Sequence, residues 1–271
     1  METGFITYKN SKIRYGRAGT GRRRLFCLHG YGETLDSFAL LSQALSEDFT
    51  VTAIDLPFHG STEWREGPVL DPTDLLAILD CIDPPEGSSR TQVSLLGYSM
   101  GGRIALHLYQ MAPDRIGRLV LLAPDGLHVN FWYWLATQSS PGNVAFRYTM
   151  NNPGWFFGPL KILRKLRLIN ESIYKFTSQY LRDKKARIEL YERWMAMRHF
   201  KPAINEIQNL VREKRTLILL IFGRYDRVSP YSWGKRFLKG IEGYGRLNII
   251  DGGHRLLERK NTGAVARLIN S

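Results

Sequence analysis

The stretch LLGYSMGGRIAL, residues 95–106, places one small polar residue, Ser99, among three glycines directly after an apolar run. Its centre, GYSMG, has the form G-x-S-x-G. Where such a pentapeptide joins a strand to a helix, the serine lies on a strained turn with small neighbours, and its hydroxyl stands clear of the sheet. The unpaired N–H groups in the first turn of the helix stabilise negative charge at its N-terminus. The sequence therefore predicts Ser99 as a nucleophile, with an idle serine in a glycine-rich turn as the alternative.

A base and an acid that could activate this serine follow later in the chain. A serine hydroxyl is a weak nucleophile without a base. His254, in IIDGGHRLL, follows the last apolar strand and two glycines, and it is the predicted base. Asp226, in IFGRYDRVSP, comes just past the preceding strand and is the predicted acid, because serine, acid, histidine is the chain order expected on such a sheet. Asp125, in LLAPDG, is a rival acid, although we expect it to cap the entry into the segment that follows.

Acyl transfer also needs hydrogen-bond donors for the oxyanion of its tetrahedral intermediate. The backbone N–H of Met100, directly after the serine, is one predicted donor. The backbone N–H of Tyr31, in the loop that follows FCLHG, is the other. Gly30 and Gly32 would let that loop approach the serine closely.

Short apolar runs alternate with helical segments along most of the chain. This predicts an α/β fold with a mainly parallel sheet covered by helices on both faces. The segment GFITYKNSKIRYGRAG predicts a hairpin, and Asp71 with Pro72 marks a helix start. Residues 127–205 break the alternation and have helical spacing, so we expect them to form a helical lid. The predicted core then comprises residues 1–126 and 206–271.

The positive charge is concentrated in the same interrupting segment. The chain has a net charge of +13, and thirteen Lys and Arg residues against four Asp and Glu lie between Leu127 and Lys201. Fifteen of the 32 aromatic residues lie there too. The segment is either a solvated basic face over an aromatic core or a surface that attracts an acidic substrate, a coenzyme A ester or a lipid head group. We do not expect nucleic acid as a partner, since no recognition motif is evident.

The remaining residue types bound the cellular setting. Cys27 and Cys81 predict two buried thiols in a reducing compartment rather than a disulfide. No leader pattern opens the sequence, and the longest apolar runs fall short of the ~18 residues of a membrane-spanning helix, so we expect a cytoplasmic protein. The six histidines show no pair at metal-ligand spacing, and we expect neither a metal nor a cofactor.

Five motifs in their order and spacing carry a family resemblance: HGYG, DLPFHGST, GYSMGG, GRYDRVSP and GGHRL. Together they resemble the serine-nucleophile branch of the α/β-hydrolase superfamily over residues 5–125 and 210–271. The resemblance implies that fold and the catalytic roles given above. It also implies that Asp55 and His59 belong to a structural turn near the mouth of the site.

The sequence limits the choice of fold more sharply than it limits the choice of substrate. A serine nucleophile argues against dehalogenases and epoxide hydrolases, and HGYGE replaces the HGGPG of proline iminopeptidases. Hydrolysis of an ester or thioester with a small or medium acyl group is the default expectation. A membrane-associated lipase is a further alternative that the basic aromatic segment allows without favouring it. A small-molecule binding protein with little turnover is another.

The segment GYSMGGR suggests a lyase alternative. Tyr98 and Arg103 make it similar to the menaquinone-pathway 2-succinyl-6-hydroxy-2,4-cyclohexadiene-1-carboxylate synthases, which use the same triad to eliminate pyruvate from an acidic substrate. That resemblance implies Tyr98 and Arg103 as substrate-binding residues. The segment APDGLHVNF departs from the EGG form typical of that family.

Overall fold

One eight-stranded sheet organises the chain. The computed structural model describes residues 1–84, 92–169 and 171–271. The strands lie in the order β1-β2-β4-β3-β5-β6-β7-β8. β2 pairs antiparallel with β1 and β4, and all later neighbours pair in parallel. This confirms the predicted mainly parallel α/β sheet. The strands are β1 Glu2–Tyr8, β2 Ser11–Ala18, β3 Arg23–Leu28, β4 Phe49–Ile54, β5 Val93–Tyr98, β6 Ile116–Leu122, β7 Leu217–Gly223 and β8 Gly245–Ile250.

The central strands are apolar because helices cover the sheet. Leu119 to Leu122 of β6 and Leu220 to Phe222 of β7 are all fully buried, the continuous pattern of strands that are covered on both faces. The helices before residue 129 and after residue 198 are α1 Ala39–Ala44, α2 Pro72–Ile82, α3 Met100–Met111, α9 Ile204–Lys214, α10 Tyr231–Leu238 and α11 Arg259–Asn270.

The predicted hairpin and the predicted helix start are both present in the structure. β1 and β2 make a hairpin in which Tyr8 pairs with Ser11 across a two-residue turn. Asp71 caps α2, since its side chain accepts a hydrogen bond from the Thr73 N–H, and Pro72 is the first helical residue.

The chain divides into two compact units. The core unit comprises Met1–His128 and His199–Ser271, and the helical unit comprises Val129–Arg198. The helical unit contains α4 Phe131–Gln138, α5 Ser140–Asn151, α6 Gly154–Lys165, α7 Glu171–Arg182 and α8 Lys184–Ala196. That residues 127–205 act as a lid stays a prediction. No helix in the described part of the chain is both long enough and apolar enough to cross a membrane.

The two cysteines differ in exposure, which corrects one expectation. Cys27 is buried in β3, and burial raises the pKa of its thiol well above the usual range. Cys81 is exposed on α2. The prediction of a buried Cys81 was wrong because Leu75, Ile78 and Leu79 define the buried face of that helix, and Cys81 points away from it.

Candidate active site

Ser99 lies on the turn that its glycines predict. It follows β5 and precedes the first residue of α3, with φ of 51° and ψ of −115°. A positive φ is strained for any residue with a side chain. Main-chain hydrogen bonds hold the turn: the Ser99 N–H donates to the Leu122 carbonyl at 3.0 Å, and the Ser99 carbonyl accepts from the N–H groups of Gly102 and Asp125, each at 2.8 Å.

Crowding around this turn explains why its neighbours are glycines. A Cβ atom at Gly97, near the end of β5, would collide with the backbone of Gly101 in α3, and one at Gly101 would collide with the Leu28 carbonyl of β3. A Cβ atom at Gly102 would collide with the ring of Pro124. The strand, the helix and the two neighbouring loops thus meet at distances that only glycine permits.

The three residues proposed for proton transfer come together in the core unit. His254 Nε2 lies 3.0 Å from Ser99 Oγ, and His254 Nδ1 lies 2.8 Å from Asp226 Oδ2. The Asp226 side chain is fully buried, while that of His254 is 23% exposed. An ionised carboxylate only accepts hydrogen bonds, so Nδ1 carries the ring proton and Nε2 is the acceptor that faces the serine hydroxyl.

Main-chain donors fix the orientation of the Asp226 carboxylate. Its Oδ1 accepts hydrogen bonds from the N–H groups of Val228 at 2.8 Å and Ser229 at 2.9 Å. Ser229 in turn donates its hydroxyl to the Pro124 carbonyl at 2.7 Å. The carboxylate therefore reaches the imidazole with its second oxygen already engaged.

Asp125, the rival acid, is engaged elsewhere. Its Oδ2 lies 3.3 Å from Nη1 of Arg103, and its Oδ1 accepts a hydrogen bond from the Gly126 N–H at 2.8 Å. It does not cap the helix that follows: the Asn130 side chain caps α4 by accepting from the Tyr133 N–H at 3.1 Å. The expected capping role of Asp125 is thus wrong, and the structure brings Asp226 to His254.

Tyr98 and Arg103, the candidate substrate-binding residues, both contact protein groups. Tyr98 is buried, and its hydroxyl donates to the backbone carbonyl of His254 at 3.1 Å. Burial raises the pKa of Tyr98, so the phenol stays protonated and keeps this donor. The Arg103 side chain is 8% exposed and forms the ion pair with Asp125. A role for either residue in substrate binding stays a prediction.

The loop after β3, which carries Tyr31, is fixed by a buried histidine. The Leu56 N–H donates to His29 Nε2 at 3.0 Å, so Nδ1 bears the proton and donates to the Gly30 carbonyl at 2.8 Å. A Cβ atom at Gly30 would lie 3.3 Å from the Ser99 Cβ. The loop therefore lies against the serine turn, and Tyr31 follows this contact directly.

Asp55 and His59 form a buried turn beside this loop. Asp55 is fully buried and accepts hydrogen bonds from the N–H groups of Leu35 at 2.7 Å and Ser61 at 2.9 Å. The His59 ring packs edge-on against His29 with the ring centres 4.9 Å apart. These contacts fit the structural turn that the resemblance implies.

Glu33 is a charged group near the site that sequence reasoning did not single out. Its N–H donates to the Gly30 carbonyl at 3.3 Å, so it closes the turn that holds Tyr31. Its Oε2 is buried and has no hydrogen-bond partner among the described residues. Burial raises the pKa of this carboxyl, and a hydrogen bond from Ser37 and the nearby His254 and Arg255 lower it in part. A carboxylate directly after the glycines of HGYGE is the signal that could have drawn attention to it.

No group of three or more His, Cys, Asp and Glu residues in the described part of the chain is arranged to hold a metal ion.

A family model for the alpha/beta hydrolase fold matches residues 23–260. The chain belongs to the α/β-hydrolase fold family. A thermophilic esterase from Thermogutta terrifontis, solved with malate bound, resembles it in structure with a TM-score of 0.69 over 100% of this chain and 98% of that one. At 19% sequence identity, this likeness shows the fold alone.

Two curated relatives of this α/β hydrolase match it over a shorter stretch. The dihydrolipoyllysine-residue acetyltransferase component of the acetoin cleaving system of Cupriavidus necator is 31% identical over 45% of this chain and 32% of its own length. A pimeloyl-(acyl-carrier protein) methyl ester esterase of Neisseria meningitidis is 32% identical over 37% of this chain and 36% of its own length. The chain thus spans about a third of the length of these relatives.

Proposed function

We propose that this α/β hydrolase cleaves a carboxylic ester or thioester of a small molecule through an acyl-enzyme on Ser99, with His254 as general base and Asp226 as the orienting acid. The observation that carries the proposal is the unbroken series of hydrogen-bonding distances, 3.0 Å from Ser99 Oγ to the imidazole and 2.8 Å from the imidazole to Asp226. Acyl transfer is the chemistry that a serine activated by an adjacent base performs.

Acylation begins when Ser99 Oγ attacks the acyl carbon and His254 Nε2 takes the hydroxyl proton. Asp226 stays ionised and stabilises the imidazolium that forms. His254 then gives the proton to the departing alkoxide or thiolate, which leaves as the alcohol or thiol. In deacylation, Nε2 takes a proton from water as the water oxygen attacks the acyl carbon. The bond between Ser99 Oγ and the acyl carbon then breaks, His254 returns the proton to Oγ, and the carboxylic acid departs.

We assign the oxyanion donors to the backbone N–H groups of Met100 and Tyr31. The support for Met100 is its position as the first residue of α3, where helix N–H groups have no partner within the helix. The support for Tyr31 is the contact of its loop with the Ser99 turn at Gly30. Because both donors belong to the main chain, Tyr31→Phe leaves the oxyanion hole unchanged.

An ester substrate is favoured over the acidic substrate of the lyase alternative by the state of Arg103. The Arg103 guanidinium forms an ion pair with Asp125, so its charge is already balanced by a protein carboxylate. When it is ionised, Glu33 also adds a negative charge near His254, and that charge opposes the binding of an anion there. The cytoplasmic location stays a prediction from the sequence.

The test is labelling with a fluorophosphonate probe together with turnover of p-nitrophenyl acetate and butyrate. Wild-type protein and the control Ser46→Ala should label and turn over alike, since the hydroxyl of Ser46, just past the end of α1, donates to the nearby Gln43 carbonyl. Ser99→Ala should lose the label and at least about 10³-fold in turnover. Equal labelling of Ser99→Ala and wild type, or unchanged turnover in that variant, would contradict the proposal.

A further inference from the structure

The helical unit exposes a line of bulky apolar side chains on α6. Trp155, Ile162 and Leu166, which we call the apolar stripe, are 49%, 58% and 62% exposed. At about 100° per residue they fall within roughly 40° of one another around the helix axis. Leu166 continues the helical path, because its N–H donates to the Ile162 carbonyl at 2.9 Å. The stripe is therefore a continuous apolar face.

The neighbouring helix α5 extends this apolar face. Val144 and Tyr148, one helical turn apart on α5, are 68% and 56% exposed. The rings of Tyr148 and Trp155 lie 6.4 Å apart, and both residues line an open apolar cleft together with Val144. Exposed apolar surface of this extent is a mark of an interaction site.

Basic residues border the stripe, and acidic residues are absent from its segment of sequence. Lys161 and Lys165 project at roughly 80–120° from the stripe, along one flank of the helix. Arg167 follows, and within the described part of the chain none of these three has a carboxylate partner. Residues 153–169 contain no Asp or Glu. Across the helical unit, twelve Lys and Arg residues face four Asp and Glu, a surplus of eight out of the net +13.

We propose that α5 and α6 dock the protein on an anionic lipid surface. The apolar stripe would enter the boundary between head groups and acyl chains, with Lys161 and Lys165 at the level of the lipid phosphates. Interfacial helices combine Trp and Leu on one face with Lys and Arg beside them. Lysine stems lie along apolar surface while the ammonium groups stay in contact with polar groups.

Charge and surface chemistry favour lipid over other occupants. A second copy of the chain would bring two strongly basic helical units against each other, which like charges oppose. An acidic protein would suit the charge, but the apolar stripe offers bulky aliphatic and indole groups that hydrocarbon covers without needing shape complementarity. Docking of this kind does not depend on the proposed ester chemistry, because none of its residues belongs to the site in the core unit.

The experiment is co-sedimentation of the full chain with vesicles of phosphatidylcholine alone and of phosphatidylcholine with 30% phosphatidylglycerol. We expect binding to the anionic vesicles only, weakened at high salt. Lys161→Glu/Lys165→Glu should lower the association constant at least about tenfold. Ile162→Ser/Leu166→Ser should lower it by a similar factor, because the stripe supplies the apolar area that enters the lipid.

Two matched pairs in the core unit serve as controls. Lys235→Glu/Lys239→Glu makes the same charge change at the same spacing on α10 and the residue after it, and Phe5→Ser/Leu217→Ser removes two exposed apolar side chains. Both should bind vesicles as wild type does. Circular dichroism and turnover of p-nitrophenyl butyrate verify that every variant is folded.

Three outcomes would overturn the proposal. The first is a lack of binding to anionic vesicles, or equal losses in the matched controls. The second is a concentration-dependent dimer in sedimentation velocity that Ile162→Ser/Leu166→Ser abolishes, which would assign the stripe to a second copy. The third is retention on immobilised poly-L-glutamate that needs both residue pairs while vesicles fail to bind, which would assign it to an acidic protein.

Discussion

The core unit buries most of the large apolar side chains that it is built around, whereas the helical unit exposes many of its own. Of the 55 apolar residues buried in the described part of the chain, only six lie in the helical unit, namely Met150, Leu160, Leu181, Met195, Ala196 and Met197. Of the seventeen large apolar side chains that this part exposes, eleven lie there. The core unit is therefore specified by its interior, whereas much of the apolar content of the helical unit faces outward, where it is available for recognition.

This difference predicts in which unit a single substitution changes the structure and the turnover. In the core unit the proposed catalytic groups are held by neighbours in direct contact, so a change of one atom alters their geometry. In the helical unit an exposed position has few neighbours to disturb. Paired substitutions of the same type, one in each unit, test this directly.

The largest expected contrast is between two aspartates. Asp226→Asn should keep the fold but reduce turnover by about 10⁴-fold, because the amide no longer holds the imidazole in the tautomer that serves Ser99. Asp183→Asn removes a carboxylate that caps α8, and Asn caps nearly as well, so turnover should stay within about twofold. Steady-state kinetics on p-nitrophenyl butyrate measure both.

Asp125→Asn is the control for the choice of acid. It removes the ion pair with Arg103 and should leave most of the turnover intact. A loss in Asp125→Asn as large as that expected for Asp226→Asn would reverse the assignment.

A second contrast concerns stability and uses two glycines. Gly101→Ala should destabilise the protein by about 3 kcal/mol or more, because its Cβ would collide with the Leu28 carbonyl of β3. Gly154→Ala, at the start of α6, meets nothing within 4 Å and should stabilise the folded state by about 0.5 kcal/mol through the unfolded chain. Urea denaturation gives both values. Comparable losses in the free energy of unfolding of the two variants would mean that the two units do not differ in how tightly these positions are packed.

The smallest effect is a loss of turnover that depends on pH. Burial raises the pKa of Glu33, so this carboxyl becomes charged only as the pH rises through that raised value. Once charged, it stabilises the imidazolium that forms on His254 during acylation, so Glu33→Gln should lower kcat/KM more at high pH than at low pH. Glu47→Gln, exposed and in the same unit, should keep the kcat/KM of wild type throughout. A ratio of wild type to Glu33→Gln that stays constant with pH, or equal losses in both variants, would remove Glu33 from the electrostatics of the site.

The serine turn could be predicted because its glycines, Gly97, Gly101 and Gly102, all stand within three residues of Ser99. The pattern is local although part of its cause is not, since Gly101 and Gly102 make room for Leu28 and Pro124, which are distant in sequence. The hairpin turn and the Asp71 cap are local in both pattern and cause, because they need only the chain within a few residues of each position.

The choice of acid depends on distances that the sequence does not contain. Asp125 and Asp226 follow the neighbouring strands β6 and β7, which end at the same edge of the sheet. Only the fold places Arg103 beside one of them and His254 beside the other. The environment of Glu33 was missed for the same reason, since the charges that lower its pKa in part, His254 and Arg255, lie about 220 residues further along the chain.

The sequence predicts that the helical unit is made of helices, but it does not predict which of their apolar side chains are exposed. Helical spacing in its sequence indicates helices, and the five helices form. Helical spacing cannot tell which apolar residues turn inward, because α6 places Leu160 inside and Trp155 and Ile162 outside on the same helix. The exposed stripe is therefore a finding of the structure.

The unequal exposure of the two cysteines gives the protein a built-in chemical reporter. A maleimide dye added to native protein should modify Cys81 alone, because the Cys27 thiol is covered by the sheet and its helices. Cys27 becomes available only in molecules that have unfolded. Brief exposure to a second dye at increasing urea concentrations would therefore measure the fraction of unfolded molecules, without any engineered residue.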